Sequence, residues 1–165
     1  MKETELKLRR FGDPALTGGV RLVKEVTQGH RKILSLMAQL MYETSGIGLA
    51  SVQVGINEAL IVVDAGTGLY KLINPKITKQ EGGQAIEEGC LSVPGLAVKV
   101  KRAKKVVVEA LDEFGKPVRI VAEDLLACVF QHEIDHLNGL LIVDHSPDKE
   151  KIKKNLQEKP LREND

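Results

Sequence analysis

The sequence has few aromatic residues, no long apolar run and almost no net charge. Its 165 residues include no tryptophan, three phenylalanines and two tyrosines, which disfavours a surface on which nucleic-acid bases stack. No apolar run approaches the ~18 residues of a membrane-spanning helix. A net charge of +1 gives no general electrostatic reason to bind nucleic acid or an anionic membrane. We therefore expect neither a membrane partner nor specific DNA binding.

Cysteine is equally scarce. The two cysteines, Cys90 and Cys128, are too few for a disulfide framework, which leaves both thiols available for a metal or for catalysis. Residues 1–5 are charged and contain no signal-peptide core. We therefore expect a cytoplasmic protein with reduced thiols, and the chain length predicts a single domain.

Hydrophobic periodicity divides the chain into helices and strands. Apolar residues recur at helical spacing over 28–44 and again over 124–138. Short apolar, β-branched runs predict strands at 59–63, 69–73, 97–100, 106–111 and 118–121. Asn74-Pro75 is expected to end the second of these strands, and residues 5–25 read as an irregular arm.

The most informative pattern is His132-Glu133-Ile134-Asp135-His136, inside the second predicted helix. Residues four apart share one helix face, so His132 and His136 can reach one cation. Glu133 is rotated by about 100° from His132, which places it to contact a water molecule rather than the ion. A helix, several antiparallel strands and a second helix, in this order, predict an α+β fold. We expect antiparallel β-sheets around a central helix that carries this metal motif.

A catalytic metal site needs a third protein ligand, for which the candidates are Cys90, Cys128, His30, His145 or a carboxylate. Cys128 lies eight residues before His136, which is about 12 Å along a helix and too far to share an ion. His145 follows a strand-like run, and His30 belongs to the other helix. Cys90 therefore completes the predicted Cys/His/His metal site.

Three segments together resemble the motifs of the peptide deformylase family. They are Gly46–Gln53, Glu88–Ser92 and His132–His136, and they occur in the family's order and spacing. The resemblance extends over about residues 7–146. It implies a metal-dependent hydrolase that removes the formyl group from the N-terminal formyl-methionine of new proteins and releases formate.

The resemblance also implies roles for individual residues. Glu133 would move protons, while the Gln53 side-chain amide and the Leu91 backbone N–H would stabilise the oxyanion. A methionine pocket would be lined by Ile86, Leu125, Cys128 and Val129, and the substrate main chain would pair near Ile47, Gly48 and Gly89. The family commonly uses Fe²⁺, although a thiolate with two imidazoles also accepts Zn²⁺, Ni²⁺ or Co²⁺.

The sequence departs from the family pattern at three positions. Ser51 replaces an alanine in the first motif, Ala97 stands where many members have arginine, and Ser45 stands where a carboxylate often precedes the first glycine. The carboxylate could have oriented a ligating histidine, so Glu88 or Asp135 would have to serve instead.

The C-terminal segment has a different composition from the rest. We predict a catalytic domain over 1–147 and a charged tail or short helix over 148–165, ended by Pro160. The part from 149 onward has six basic residues and four acidic ones. In some family members such a helix contacts the ribosome, which the resemblance makes a candidate partner. We favour a solvated tail, because the net charge of the segment is weak and Pro160 limits the length of a helix.

Two other functions remain open at this point. A different hydrolase of this metal class would keep His132, Glu133 and His136, but it would have no reason for Gln53 and the Cys90 segment at this spacing. A non-enzymatic metal-binding module would need a closed four-ligand site, and the sequence offers no convincing fourth ligand.

Overall fold

The computed structural model describes residues 6–158, which form three α-helices and seven β-strands. The helices are α1 (Gln28–Glu43), α2 (Asp124–Leu137) and α3 (Lys149–Glu158). The strands are β1 (Gly48–Ala50), β2 (Leu60–Val63), β3 (Tyr70–Glu81), β4 (Gln84–Gly89), β5 (Ala97–Arg102), β6 (Lys105–Leu111) and β7 (Pro117–Glu123). Among these described helices, none has the length and apolar character needed to cross a membrane.

The strands form two antiparallel sheets. The larger has the order β1-β2-β3-β6-β7, and the smaller pairs β4 with β5. Helix α2 packs on the larger sheet through Phe130, Ile134 and Leu137, which share a buried cluster with Val106 and Val108. The helix also contacts β5 of the smaller sheet. It is therefore central, and the predicted α+β arrangement is confirmed.

Strand β2 separates the two halves of the core. Successive side chains of a strand point to opposite faces, and all four residues of β2 are buried. Leu60 and Val62 pack in the cluster that contains α1, whereas Ile61 and Val63 pack in the cluster that contains α2. A continuous apolar strand is thus explained by a helix on each face.

Helix α1 begins after Thr27, whose backbone N–H donates to the Nδ1 atom of His30. Its apolar stripe buries Leu34, Met37 and Met41. The helix ends at Glu43, and Ser45, two residues further on, adopts a left-handed φ of 58° that directs the chain away from the helix axis. The sequence predicted the helix over 28–44, one residue longer than observed.

Strand β3 corrects one prediction. Asn74-Pro75 does not end the strand, which continues to Glu81 across an irregular register with β6. Asn74 adopts a left-handed φ of 54°, and its side-chain amide bonds both the N–H and the C=O of Val23. The side chain supports a local bulge that keeps the proline from terminating the pairing.

Two strands were not predicted at all. Strand β1 lies inside the glycine-rich segment, and β4 has a polar sequence, Gln-Ala-Ile-Glu-Glu-Gly. Both have low intrinsic strand preference, so only pairing with neighbours defines them. The arm predicted over 5–25 is irregular in its described part except for a 3-10 turn at Pro14–Leu16. Helix α3 confirms the short helix, while Pro160 lies outside the described residues.

Candidate active site

Three ligand-type atoms from two elements meet at one point. Helix α2 presents His132 and His136 on one face, and Cys90 follows directly after β4. The Nε2 atom of His136 lies 3.2 Å from His132 Nε2 and 3.3 Å from Cys90 Sγ. The ligand atoms of all three residues lie within 4.8 Å of one another.

This donor set fits a divalent ion. Bond lengths of about 2.1 Å to nitrogen and 2.3 Å to sulfur hold tetrahedral ligand atoms about 3.4–3.6 Å apart, close to the two shorter spacings seen here. Thiolate and imidazole are the donors that borderline-soft transition metals accept. The cluster contains three protein ligands, the number typical of a catalytic metal site.

His132 is oriented by a carboxylate behind it. Its Nδ1 atom lies 2.9 Å from Glu88 Oε1 and donates to it, which directs Nε2 toward the other two ligand atoms. Glu88 also accepts two hydrogen bonds from the guanidinium of Arg102, at 2.8 and 2.7 Å. Glu88 therefore orients His132, as the sequence suggested it would in place of the carboxylate that is absent at Ser45.

Arg102 connects Glu88 to a second carboxylate. It donates to Asp135 at 2.6 Å, and Asp135 also lies 2.8 Å from His145 Nε2. Burial opposes ionisation of Glu88, but the hydrogen bonds from Arg102 and His132 outweigh it and lower its pKa to about 2. Arg102 is therefore a buried partner of the site, although it occurs in a run of otherwise exposed lysines.

His136 has no equivalent support. Its Nδ1 atom is buried and has no hydrogen-bond partner among residues 6–158. Burial and the neighbouring His132 lower its pKa well below the usual value, which favours the neutral imidazole that a metal requires. Neither Ser45 nor Asp135 bonds to it, so Asp135 does not take the role considered for it.

The remaining candidate ligands lie outside the cluster. His30 bonds to Thr27 and Glu58, and His145 bonds to Asp135. Cys128 is buried in the wall of the adjoining cavity, where burial raises the pKa of its thiol. The exclusion of all three is consistent with the sequence argument.

Glu133 lies beside the cluster, and only 4% of its surface is exposed. Its Oε1 atom has no hydrogen-bond partner among the described residues. Burial raises its pKa to about 7, in the range where a carboxylate exchanges protons most effectively. Gly48 of β1 packs directly on it, since a Cβ there would lie 2.9 Å from both Cγ and Cδ of Glu133.

Gln53 is fixed at both ends of its amide. Its Oε1 atom accepts a hydrogen bond from the Ala50 N–H, which directs Nε2 toward the cluster. The Nε2 group donates to Ser92 Oγ at 3.2 Å and lies 3.7 Å from Cys90 Sγ. Ser92 is fully buried and was not assigned a role from the sequence. The signal that could have identified it was its place as the last residue of the Glu88–Ser92 motif.

An apolar cavity of about 470 Å³ adjoins the cluster. Its walls include every residue predicted for substrate binding: Ile47, Gly48, Ile86, Gly89, Leu125, Cys128 and Val129. Gln53, Leu91, Cys90, His132 and Glu133 also reach it, whereas His136 lies behind the wall. Ile47 and Leu125 are 45% and 47% exposed, which places them at the rim.

The three departures from the family pattern have different positions. Ser51 directs its hydroxyl to the carbonyl of Glu58. Ser45 lines the cavity. Ala97 is paired with Gly89 across the small sheet, at its exposed surface.

Comparison with known proteins gives consistent matches along the chain. A family model described as polypeptide deformylase matches residues 5–152. The chain is 50% identical over 141 residues to a peptide deformylase from Halothermothrix orenii, covering 84% of this chain and 92% of that protein. A peptide deformylase from Syntrophomonas wolfei is 52% identical over 129 residues, with 78% and 85% covered.

Solved structures agree in three dimensions. The peptide deformylase from Thermotoga maritima superposes with a TM-score of 0.84 at 39% identity, covering 87% of this chain and 99% of that one. The peptide deformylase from Synechococcus elongatus, solved in complex with actinonin, has a TM-score of 0.87 at 40% identity, with 99% and 91% covered.

Proposed function

This chain belongs to the peptide deformylase family, hydrolases that remove the N-formyl group from nascent peptides. We propose that it does so at the cluster of Cys90, His132 and His136 and in the cavity beside that cluster. The observation that carries the proposal is the conjunction of three ligand atoms, a buried carboxylate and an apolar cavity at one point. The family uses a catalytic metal, and Cys90, His132 and His136 are the residues that would hold it. When bound, the ion supplies a Lewis acid that increases the acidity of a water molecule.

We propose Fe²⁺ as the native ion, with Zn²⁺, Ni²⁺ or Co²⁺ as substitutes. The support is the donor set, because a thiolate with two imidazoles accepts all four ions. Metal analysis of protein purified without oxygen identifies the ion. Iron-containing protein should lose activity in air, and Ni²⁺ or Co²⁺ protein should keep it. Stable activity of the iron form in air would contradict the assignment of Fe²⁺.

Glu133 is the proposed proton carrier. It takes a proton from the attacking water and delivers it to the amine that leaves. Its carboxylate is enclosed, and its Oε1 atom makes no hydrogen bond to the described residues, so it is free to exchange a proton with a ligand in the cavity. Because Gly48 packs against it, the carboxylate has little room to turn away.

Gln53 and Leu91 are the proposed oxyanion donors. The side-chain N–H₂ of Gln53 carries two hydrogens, of which one donates to Ser92 Oγ and the other to Cys90 Sγ over 3.7 Å; the second, long bond is the one that a ligand oxygen would replace. Leu91 lines the same cavity directly after Cys90. Two such donors at the same cavity would stabilise the charge that develops on the formyl oxygen.

The cavity is proposed to bind the methionine side chain. Its walls of Ile86, Leu125, Cys128 and Val129 are apolar or soft, which suits an unbranched thioether. Gly48 is proposed to pair with the substrate backbone. The backbone N–H of Asp64 donates to the carbonyl of Ile47, and alternation along an antiparallel pair then turns the N–H and C=O of Gly48 to the open edge.

The test of this function combines two measurements on the same protein. Formate release from formyl-Met-Ala-Ser should require the metal and should fall by at least ~10² in Glu133→Gln, which retains the metal. Hydrolysis of an internal peptide bond without formate release would favour a peptidase. Bound metal without any hydrolysis would favour a binding module. Inhibition by actinonin, the ligand of the Synechococcus relative, is a further expected result.

The finer parts of the proposal concern location and the C-terminal segment. We place the protein in the cytoplasm, because its substrates are nascent peptides. We assign catalysis to 1–147 and ribosome contact to 148–165. In support, α3 exposes Lys151 and Lys154, while Ile152 packs on the core. Truncation after Pro147 should preserve formyl-peptide hydrolysis and reduce cosedimentation with ribosomes at low salt. Equal cosedimentation would leave only a solvated tail.

A further inference from the structure

The N-terminal arm, defined here as residues 6–17, contacts two of the three motif segments of the proposed active site and the turn that follows the third. The backbone N–H of Arg9 donates to the carbonyl of Gln53 at 2.6 Å, and that of Phe11 donates to the carbonyl of Ser92 at 2.8 Å. The far end of the arm lies against the turn that follows α2. A Cβ at Gly139 would lie 3.0 Å from the carbonyl oxygen of Thr17.

We propose that the arm is a positioning element that sets the distance between the two oxyanion donors, Gln53 and Leu91. Gln53 itself accepts one of the two arm hydrogen bonds, and Ser92, the neighbour of Leu91, accepts the other. The two N–H groups are two residues apart on one stretch of backbone, so they can lie at most about 7 Å from each other. A single stretch of backbone therefore fixes the spacing of both carbonyls.

The two donor segments have few other connections. Gln53 lies in a 3-10 turn, Ser51–Val54, that continues from β1 in the large sheet. Leu91 lies in the turn after β4, in the small sheet. No strand pairing joins these sheets among the described residues. Side-chain contacts also join the two segments, since Gln53 Nε2 donates to Ser92 Oγ at 3.2 Å and to Cys90 Sγ at 3.7 Å, and Leu91 packs on the cluster that contains α1. The arm supplies the backbone hydrogen bonds that these contacts lack.

The arm is itself anchored on both halves of the core. Leu6 and Leu8 pack on the cluster that contains α1, and Phe11 packs on the cluster that contains α2. Leu16 is 1% exposed in the second cluster. Asp13 accepts a hydrogen bond from the Ala15 N–H and so fixes the turn between them. Because the arm is held at both ends, it can resist movement of the segments that it joins.

The inference rests on the oxyanion roles proposed for Gln53 and Leu91, and its test separates the two. Phe11→Pro and Phe11→Ala lose the same ring and the same core packing, but only the proline variant lacks the N–H donor. Arg9→Pro and Arg9→Ala form a second matched pair. We expect each proline variant to have a kcat at least tenfold below its alanine partner, with KM and metal content alike. Equal kcat within both pairs would overturn the inference.

A further variant keeps both donors but changes their spacing. One glycine inserted after Arg10 leaves the N–H groups of Arg9 and Phe11 in place and breaks the two-residue interval. It should lower kcat to the same extent as the proline variants. Because the insertion needs no special φ at either residue, it also tests the inference if a proline variant does not fold. An insertion variant with wild-type kcat would overturn the proposal.

A double-mutant cycle shows whether the arm acts through the oxyanion donor. Gln53→Ala alone should lower kcat by about 10²–10³ if the proposed function is correct. Phe11→Pro in that background should then cost much less than its tenfold loss in the wild type, since the positioned donor is gone. A full additional loss would overturn the arm's role and leave the proposed function intact. An unchanged kcat in Gln53→Ala would instead reject the oxyanion assignment.

Discussion

Replacing Gly48 by alanine tests the packing that holds Glu133 in place. The added Cβ would lie 2.9 Å from both Cγ and Cδ of Glu133, and nearer still to Oε2. Carbon atoms in contact prefer separations of about 3.5–4.0 Å, so one of the two groups must move by roughly 0.6–1 Å. The φ angle of Gly48 lies outside the left-handed region, so the backbone itself accepts alanine.

The size of the effect follows from where the displaced atoms are. Glu133 is enclosed, so it can move only by turning its carboxylate or by shifting β1. A misplacement near 1 Å at a reacting group costs about 10² in rate, and overpacking a buried site costs about 1–3 kcal/mol of stability. We therefore expect kcat to fall by about 10² in Gly48→Ala, while the metal remains bound because no ligand is changed.

The assay is formate release from formyl-Met-Ala-Ser, with metal content and urea unfolding measured on the same samples. Gly83→Ala is the matched control, because a Cβ there meets no atom within 4 Å and its φ is also unstrained. In a Glu133→Gln background, Gly48→Ala should add little further loss, since the group that it displaces is already inactive. A fully metallated Gly48→Ala enzyme with wild-type kcat would refute the reasoning.

Three other predictions concern separate parts of the molecule. Cys90→Ala should lose the metal and the activity, whereas Cys128→Ala should keep stoichiometric metal; metal analysis with the reverse pattern would reject the ligand assignment. Arg102→Leu should reduce the free energy of unfolding by about 3–5 kcal/mol, because Glu88 stays buried without its cation, and a loss below 1 kcal/mol in urea titrations would contradict this. Burial opposes ionisation of Asp144, but hydrogen bonds from the Leu141 N–H and from Lys153 lower the pKa of its carboxyl below the ordinary value of 3.8. The ionised carboxylate therefore contributes fully to stability above that pH, and its contribution disappears as the pH falls through the lowered pKa. Asp144→Asn should therefore make the free energy of unfolding less dependent on pH in the acid range. An unchanged pH dependence would show that Asp144 does not contribute.

The sequence alone was sufficient to propose the residues of the candidate metal site. The one-turn spacing of His132 and His136 follows from helix geometry and needs no tertiary information. The rejection of Cys128 is a matter of rise along the same helix, which is also local. Helices α1 and α2 and five strands were predicted because their apolar residues have a regular period, which reports burial on one or both faces.

Only the tertiary structure decided which groups surround that chemistry. The family resemblance suggests Arg102 as a partner of Glu88, but its lysine-rich run is typical of an exposed strand; only the structure shows that Arg102 is buried and that Asp135 is its second partner. Strand β4 is too polar to be predicted, because its order comes from pairing with β5 and from the ion pair beneath it. The contacts of Arg9 and Phe11 with two distant segments use backbone N–H groups, which are the same in every residue type except proline. A sequence specifies such contacts only through the whole fold, because no side chain marks them.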